Sequence, residues 1–319
     1  MRRLRGVLAA ALLLAGCAAQ PVAVAPEPAP QRLGFTDLTD DFAAAFDAAA
    51  GQPDAERMAA IRRAMAPLLP GFYDPARQGD GAARYEAFAA KFMASYPTRR
   101  PAIAAVAARF NAMFDSAVAD FEQRIGPLPL DTPVFLAVSM GEFDGATREL
   151  GGRTYLLFGA DMIAEYHGGE ARAFVQHELF HIYHGKRFTG CAEVWCGLWN
   201  EGLATYAAQQ LNPEASDAEL LLTIPEPIRP ALAKHRAEAV CATLARLDSR
   251  ERSDGNALFS SRRLSPNLPP RFGYLIGMWV AADLGRTRSL AQLAEWDGPE
   301  LRAAIEASLR GMAECGGEG

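Results

Sequence analysis

The first third of the chain repeats apolar residues at the spacing of an α-helix. From about residue 36 to residue 126 they recur three or four positions apart, which places one apolar stripe on a helix face. The clearest stripe runs through Ile103, Val106, Phe110, Phe114, Val118 and Phe121. Turn signals interrupt the pattern at Gly51-Gln52-Pro53, Pro70-Gly71 and Pro97. The pattern therefore predicts helices over 38–49, 53–67, 82–96 and 100–125.

The pattern changes after about residue 128. The runs 133–138 and 154–158 are short, apolar and rich in β-formers, and the second follows the turn signal Gly151-Gly152. Helical spacing then returns and predicts helices over about 160–167, 170–184, 199–210, 228–247, 272–284 and 298–313. We therefore predict an α+β fold, mainly α, with a helical N-terminal region over 36–128. A second region over 129–319 contains a small β-sheet before the central helix.

The N-terminus has the layout of a bacterial lipoprotein signal peptide. Three arginines are followed by an apolar run from Gly6 to Ala15, which is too short to span a bilayer. Leu14-Ala15-Gly16-Cys17 resembles a lipobox, whose cysteine becomes the lipidated first residue. The alternative is an ordinary signal peptide with a chance cysteine. We expect residues 1–16 to be removed, Cys17 to carry the lipid and the Pro/Ala-rich segment 17–35 to form an extended tether.

A lipid at Cys17 would tether the protein to a membrane without making it span one. Ala18 follows the cysteine where a retained inner-membrane lipoprotein has Asp, so we expect the periplasmic face of the outer membrane. Loss of three arginines with residues 1–16 changes the formal net charge from −6 to about −9. An acidic chain without a basic stretch argues against a nucleic-acid partner.

Four cysteines remain after Cys17, and an even number in an oxidising compartment favours two disulfides. Three pairings are possible, and buried free thiols are the alternative. We favour Cys191–Cys196 and Cys241–Cys315. A four-cysteine zinc site is disfavoured because the chain has no Cys-x2-Cys pair.

Residues 177–181, His-Glu-Leu-Phe-His, carry the clearest chemistry in the chain. Residues at i and i+4 lie about 40° apart on a helix, so His177 and His181 can reach one metal ion. The apolar residues of the segment fall on the opposite side, at Val175, Leu179 and Ile182. Glu178 cannot share the ligand geometry of the histidines, and it is placed to take a proton from metal-bound water.

A catalytic zinc site needs a third protein ligand and one open position. The motif resembles that of gluzincin peptidases, in which a glutamate on a following helix is the third ligand. Glu201 lies at the matching distance, after nineteen intervening residues, on the predicted helix 199–210. Gly202 and Ala204 beside it would let that helix pack closely on helix 170–184. Glu193 and Glu214 are the competing carboxylates, but neither has an equivalent helical setting.

His177-Glu178-x-x-His181 followed by Asn200-Glu201-Gly202-x-Ala204 resembles the gluzincin clan of metallopeptidases, to which thermolysin belongs. The sequence is more closely similar to uncharacterised bacterial gluzincin-like proteases with an HExxH…EGxA…GY pattern. The resemblance covers about residues 130–285. The metzincin alternative requires glycine and histidine where this chain has His184 and Arg187.

This resemblance implies a thermolysin-like, zincin-type core and a peptide or protein substrate. It implies one zinc ion on His177, His181 and Glu201, with Glu178 as the general base. The aminopeptidase branch carries a Gly-x-Met-Glu-Asn segment before the zinc helix, and this chain has none. The resemblance therefore gives no support to N-terminal exopeptidase activity.

Candidates for the opposite wall of the site come from later segments. Tyr274, near the start of the predicted helix 272–284, is our candidate for stabilising the oxyanion, with His235 as the fallback. Arg271 is a candidate for binding a substrate carboxylate. His184 lies about 10 Å along the helix from His177, so we expect it to line the cleft or support a ligand. Thr205 is a candidate partner for a ligand's second nitrogen.

Two further expectations concern the surroundings of the site. A Cys191–Cys196 bridge would restrict the loop that leads to Glu201. Segment 153–158 is a candidate sheet edge along the cleft, where an extended peptide can add as a strand, and the alternative is a plain strand within the sheet.

Two other functions remain open at this point. One is a non-catalytic envelope lipoprotein that uses the fold for binding or assembly. The other is zinc-dependent hydrolysis of a non-peptide amide in the cell wall.

Overall fold

The computed structural model describes residues 32–167 and 171–315. Its strands are β1 (Thr36–Asp37), β2 (Val134–Ala137), β3 (Gly145–Leu150) and β4 (Arg153–Gly159). Its helices are α1 (Thr39–Ala48), α2 (Asp54–Met65), α3 (Ala82–Arg124), α4 (Ala160–Tyr166), α5 (Arg172–His184), α6 (Val194–Leu211), α7 (Ile228–Leu244), α8 (Arg252–Phe259), α9 (Phe272–Leu284), α10 (Leu290–Ala294) and α11 (Gly298–Met312), with a 3-10 segment at Pro75–Gly81. The predicted signal peptide, Cys17 and most of the tether lie outside the described residues.

Helix α3 differs from the sequence prediction, which ended one helix before Pro97 and began another at residue 100. The helix continues for 43 residues with Pro97 and Pro101 inside it. A proline removes one helical hydrogen bond and crowds the preceding turn. Buried side chains on both sides, Tyr96 and Ile103 among them, hold the helix against the core. Tertiary packing therefore outweighs the local break.

Within the described residues, the helical segment Pro75–Arg124 is long and apolar enough, by length and composition alone, to cross a membrane. About a third of its most apolar stretch, 33%, is buried inside the protein. Phe110 and Phe114 are buried in contact with the ring of Phe158 on β4. This packing is that of a core helix.

The sheet is small and mixed. Its strand order is β1-β2-β4-β3, and β1, β2 and β4 run parallel. Strand β3 pairs antiparallel with β4, from Gly145 opposite Phe158 to Leu150 opposite Arg153. The expectation that 153–158 forms the sheet edge is therefore wrong, because β3 covers β4 and is itself the edge.

Helix α5 lies at the centre of the fold and is buried around almost its whole circumference. One side packs on α3, where Gln176 donates a hydrogen bond to the carbonyl of Ala117, at 3.1 Å. Another side packs on α6 and contributes the imidazoles described below. The helix is therefore buried on more sides than the single apolar side that the sequence pattern predicted, because α3, the sheet and α6 all contact it.

Helices α6 and α9 approach each other closely at Gly202 and Gly277. A Cβ atom added to Gly202 would lie 2.2 Å from the carbonyl carbon of Gly277, so no side chain fits between the two backbones. This contact fixes the relative position of Glu201 on one helix and Tyr274 on the other.

Both predicted disulfides are present, Cys191–Cys196 and Cys241–Cys315. The mainly helical α+β class with a small sheet before α5 is also confirmed.

Candidate metal centre

Three predicted ligand side chains meet between α5 and α6. The Nε2 atoms of His177 and His181 lie 3.0 Å apart, and each lies 3.5 Å from Oε2 of Glu201. The histidines are one turn apart on α5, so their rings project to the same side. Glu201 faces them because α6 packs along α5.

This arrangement fits a tetrahedral metal ion. Zinc–ligand bonds of roughly 2.0–2.1 Å at tetrahedral angles separate the ligand atoms by about 3.3 Å. The three observed separations, 3.0 Å and twice 3.5 Å, bracket that value. Two imidazoles and one carboxylate are also a donor set that zinc accepts, and three protein ligands leave a fourth position for the reaction.

The charges of the three ligands are strongly coupled. Burial alone lowers the pKa of both histidines. It prevails for His177, whereas the negative charge of Glu201 outweighs it and raises the pKa of His181 to about 9. Burial opposes ionisation of Glu201, but the histidines hold its pKa well below its usual value. The carboxylate thus stays negative and attracts a positive charge to this point.

Glu178 lies beside this cluster with only 8% of its surface exposed. Burial raises its pKa from the ordinary 4.5 to about 7. No side chain or backbone group among the described residues donates a hydrogen bond to it. A carboxylate of raised pKa that faces a cavity is suited to accept a proton near neutral pH.

Strand β3 holds Glu178 through a glycine. A Cβ on Gly145 would lie 2.6 Å from Cζ of Phe174 and 2.7 Å from Cγ of Glu178. Any larger residue would push these side chains away. The start of β3 therefore sets the position of the carboxylate.

A hydrogen bond fixes the residue before Gly145. Asp144 accepts a hydrogen bond from Nε2 of His167 at 3.0 Å, and the His167 ring stacks on Phe174 at 4.4 Å. Burial would raise the pKa of Asp144, but the bond from His167 outweighs it and lowers the pKa. Asp144 is therefore a fixed negative charge on the wall of the cavity.

Tyr274 and Arg271 form the opposite wall. The ring of Tyr274 lies parallel to that of His177, with centroids 6.3 Å apart, and the guanidinium of Arg271 lies 4.4 Å from the centroid of Tyr274. Burial, aided by the charge of Glu201, raises the pKa of Tyr274 well above its usual value. The phenol is therefore kept as a neutral hydrogen-bond donor.

His184 and Thr205 have structural roles. His184 is fully buried, its ring stacks on Phe188, and its Nδ1 lies 3.1 Å from Oδ1 of Asn200, the neighbour of Glu201. Burial lowers the pKa of His184 to about 4. It supports the wall rather than lining it. Thr205 donates to the carbonyl of Glu201 at 2.8 Å, so this hydroxyl bonds its own helix rather than a ligand's imidazole.

The remaining candidates lie elsewhere. His235 is 3.5 Å from Glu238 and does not line the cavity, so it is not a donor to the site. Glu193 pairs with Arg250, and Glu214 is exposed beyond α6. Both are separated from the histidines, because only Glu201 is on the part of α6 that packs on α5.

The site opens into a cavity of about 620 Å³. Its walls are the start of β3, the second half of α5, the first half of α6, the Cys191–Cys196 disulfide and the start of α9. Sequence reasoning missed the β3 wall, from Asp144 to Arg148. Gly-Ala-Thr-Arg-Glu-Leu lacks the alternation of a strand, and only the Gly151-Gly152 turn before 154–158 hints at a hairpin partner.

No protein-family model, no curated protein and no solved structure matches this chain.

Proposed function

We propose that this protein is a zinc-dependent metallopeptidase. The observation that carries the proposal is the meeting of His177, His181 and Glu201 at zinc-ligand distances, with the carboxylate of Glu178 facing the same cavity. We also propose that β3, α5 and α6 form a zincin-like core of the gluzincin type.

Each residue then has a distinct task. His177, His181 and Glu201 would hold the ion, which when bound would supply Lewis acidity. Glu178 takes a proton from the attacking water and passes it to the leaving nitrogen. Tyr274 donates a hydrogen bond to the carbonyl oxygen as negative charge builds on it.

The edge strand favours a peptide substrate over a cell-wall amide. Within residues 32–167 and 171–315, strand β3 pairs on one side only, with β4, and residues Asp144 to Arg148 line the cavity. An extended peptide can add to such an edge by backbone hydrogen bonds, which would hold it across the ligands.

The cellular setting belongs to the same proposal. Because residues 1–17 have the lipoprotein pattern, we propose that the enzyme is anchored through Cys17 to the periplasmic face of the outer membrane. The two disulfides agree with an oxidising compartment.

Metal content is the first test. We expect one zinc ion per chain in purified protein and loss of that zinc in His177→Ala, with the helical circular dichroism unchanged. His235→Ala is the matched control and should keep its zinc. Folded wild-type protein that binds no zinc would refute the proposal.

Peptide cleavage is the second test. Zinc-loaded wild type should cleave members of a peptide library, and Glu178→Gln should bind zinc without cleaving them. A zinc-loaded wild type that cleaves no peptide would favour the cell-wall amide or a binding role. Cleavage by Glu178→Gln at a rate close to that of wild type would remove Glu178 from the mechanism.

A further inference from the structure

Arg271 lies one aromatic ring away from the proposed metal ligands. Its guanidinium covers the face of Tyr274, 4.4 Å from the ring centroid, and that ring stacks on His177. All three line the same cavity. A substrate group bound by Arg271 would therefore lie close to the bond that is cleaved.

The other charged side chains on the cavity wall already have partners or tasks. Asp144 pairs with His167, and Glu201 pairs with both ligand histidines. Arg148 lies 3.8 Å from Glu142, a carboxylate that Arg77 also binds.

Arg271 is the exception. None of the ion pairs among residues 32–167 and 171–315 includes it, and its one hydrogen bond goes to the carbonyl of Ile224, at 3.4 Å. A guanidinium has five N–H donors in a planar fork that matches a carboxylate. Arg271 lines the cavity, and none of its donors has a carboxylate partner among the described residues.

The backbone at Arg271 points to the same conclusion. Arg271 adopts the left-handed conformation, with φ of 60°, directly before α9. Residues other than glycine rarely adopt it, and such residues cluster at functional sites. Leu221, another of the three non-glycine residues with positive φ among those described, lines the same cavity.

We propose that Arg271 binds a carboxylate of the substrate, so that the preferred peptides carry a carboxylate near the scissile bond. This inference rests on the proposed peptidase function. The carboxylate has two possible sources, an acidic side chain or the C-terminus of the peptide. Arg271 binds both through the same bidentate hydrogen bonds, so the experiment separates them.

The test uses the zinc-loaded Glu178→Gln variant, which binds peptides without turnover. Dissociation constants are measured for two matched pairs derived from a cleaved library sequence. One pair has a free or an amidated C-terminus, and the other, with both C-termini amidated, has Glu or Gln beside the scissile bond. We expect the carboxylate form of at least one pair to bind roughly tenfold more tightly or better, as for a charge-assisted bidentate bond.

Adding Arg271→Gln should abolish that preference, and adding Arg271→Lys should restore part of it, because a point charge lacks the fork. Adding Arg148→Gln, the matched control on the opposite wall, should leave the preference intact. Zinc content and circular dichroism of each variant report folding. Preference in the C-terminal pair alone would identify the terminal carboxylate, and preference in the Glu/Gln pair alone an acidic side chain.

Equal binding within both pairs would overturn the inference, as would a preference that survives Arg271→Gln or is lost equally in Arg148→Gln. In each of those cases the peptidase proposal would stand, because the peptides still bind and are still cleaved by wild type. If wild type neither binds nor cleaves any peptide, the proposed function fails and the inference fails with it.

Discussion

Two buried carboxylates, Asp161 and Glu178, contact different parts of the chain at the start of β3: Asp161 contacts the turn before it, and Glu178 contacts its first residue, Gly145. Asp161 is 2% exposed and accepts hydrogen bonds from the amides of Ser139 and Gly141, both at 2.6 Å, and from the Ser139 hydroxyl. Glu178 is 8% exposed and accepts none from the described residues. Burial raises the pKa of both.

The difference in hydrogen bonding indicates that Asp161 has a structural role and Glu178 a chemical one. A buried carboxylate is costly unless hydrogen bonds compensate it. The bonds to Asp161 fix the Ser139–Gly141 turn and thus the approach to β3. Glu178 keeps its lone pairs for another partner. A substitution at Glu178 should therefore lower activity, whereas a substitution at Asp161 should lower stability and leave activity nearly unchanged.

The largest expected effect is on turnover in Glu178→Gln. Removing a general base lowers kcat by about 10²–10⁴-fold, and the amide fits the same space. The measurement is kcat on a cleaved peptide with zinc content verified. Glu214→Gln, an exposed glutamate outside the cavity, is the control and should match wild type. Turnover within tenfold of wild type in Glu178→Gln would contradict the assignment.

The same variant should change how the stability of the metal-free protein depends on pH. The pKa of Glu178 is raised in the folded state, from 4.5 to about 7. Its stabilising contribution is therefore complete below pH 4.5 and is lost as the pH rises through about 7. Relative to wild type, metal-free Glu178→Gln should gain about 3 kcal/mol in unfolding free energy between about pH 4.5 and pH 8.5. Urea unfolding in chelator measures this difference, and a constant difference across that range would contradict it.

A smaller effect on activity is expected from Gly145→Ala. The added methyl group would lie 2.7 Å from Cγ of Glu178, so the carboxylate must move. A displacement on the order of 1 Å costs roughly 10²-fold in kcat. Gly255→Ala, whose added methyl group would meet no atom within 4 Å, is the matched control. Unchanged kcat in Gly145→Ala would show that β3 does not position the base.

The smallest effect is expected in Asp161→Asn, and it concerns stability. The amide nitrogen cannot accept one of the backbone N–H bonds, so the free energy of unfolding should fall by about 2 kcal/mol. Because Asp161 does not line the cavity, kcat of the folded variant should stay within a few-fold of wild type. A large loss of kcat with unchanged stability would remove the distinction between the two carboxylates.

The central helix and its ligands were predictable because their signals are local. His177 and His181, at i and i+4, lie on the same side of their helix whatever packs around that helix. Glu201 could be predicted because its distance from His181 matches the pattern of the family that the motif resembles. Its small neighbours Gly202 and Ala204 also indicated a closely packed helix. The cysteine pairs were chosen correctly from three possibilities.

What the sequence did not reveal depends on tertiary packing. Pro97 appeared to end a helix because the cost of a proline is local, whereas the packing that outweighs it is not. Strand β3 is stabilised by pairing with β4 and has little strand pattern of its own. The bond between Asp144 and His167 joins residues 23 positions apart, and no spacing rule connects them.

The contact between Gly202 and Gly277 has a consequence for how this site can be altered. Because the two helix backbones are in contact, α6 and α9 have little room to shift against each other. Glu201 and Tyr274 therefore lie on a rigid pair of helices. Strand β3, by contrast, has a neighbouring strand on one side only in the part of the chain that the structure describes. In directed evolution of substrate preference, tolerated changes should therefore accumulate from Thr147 onward along β3, while α6 and α9 stay nearly invariant.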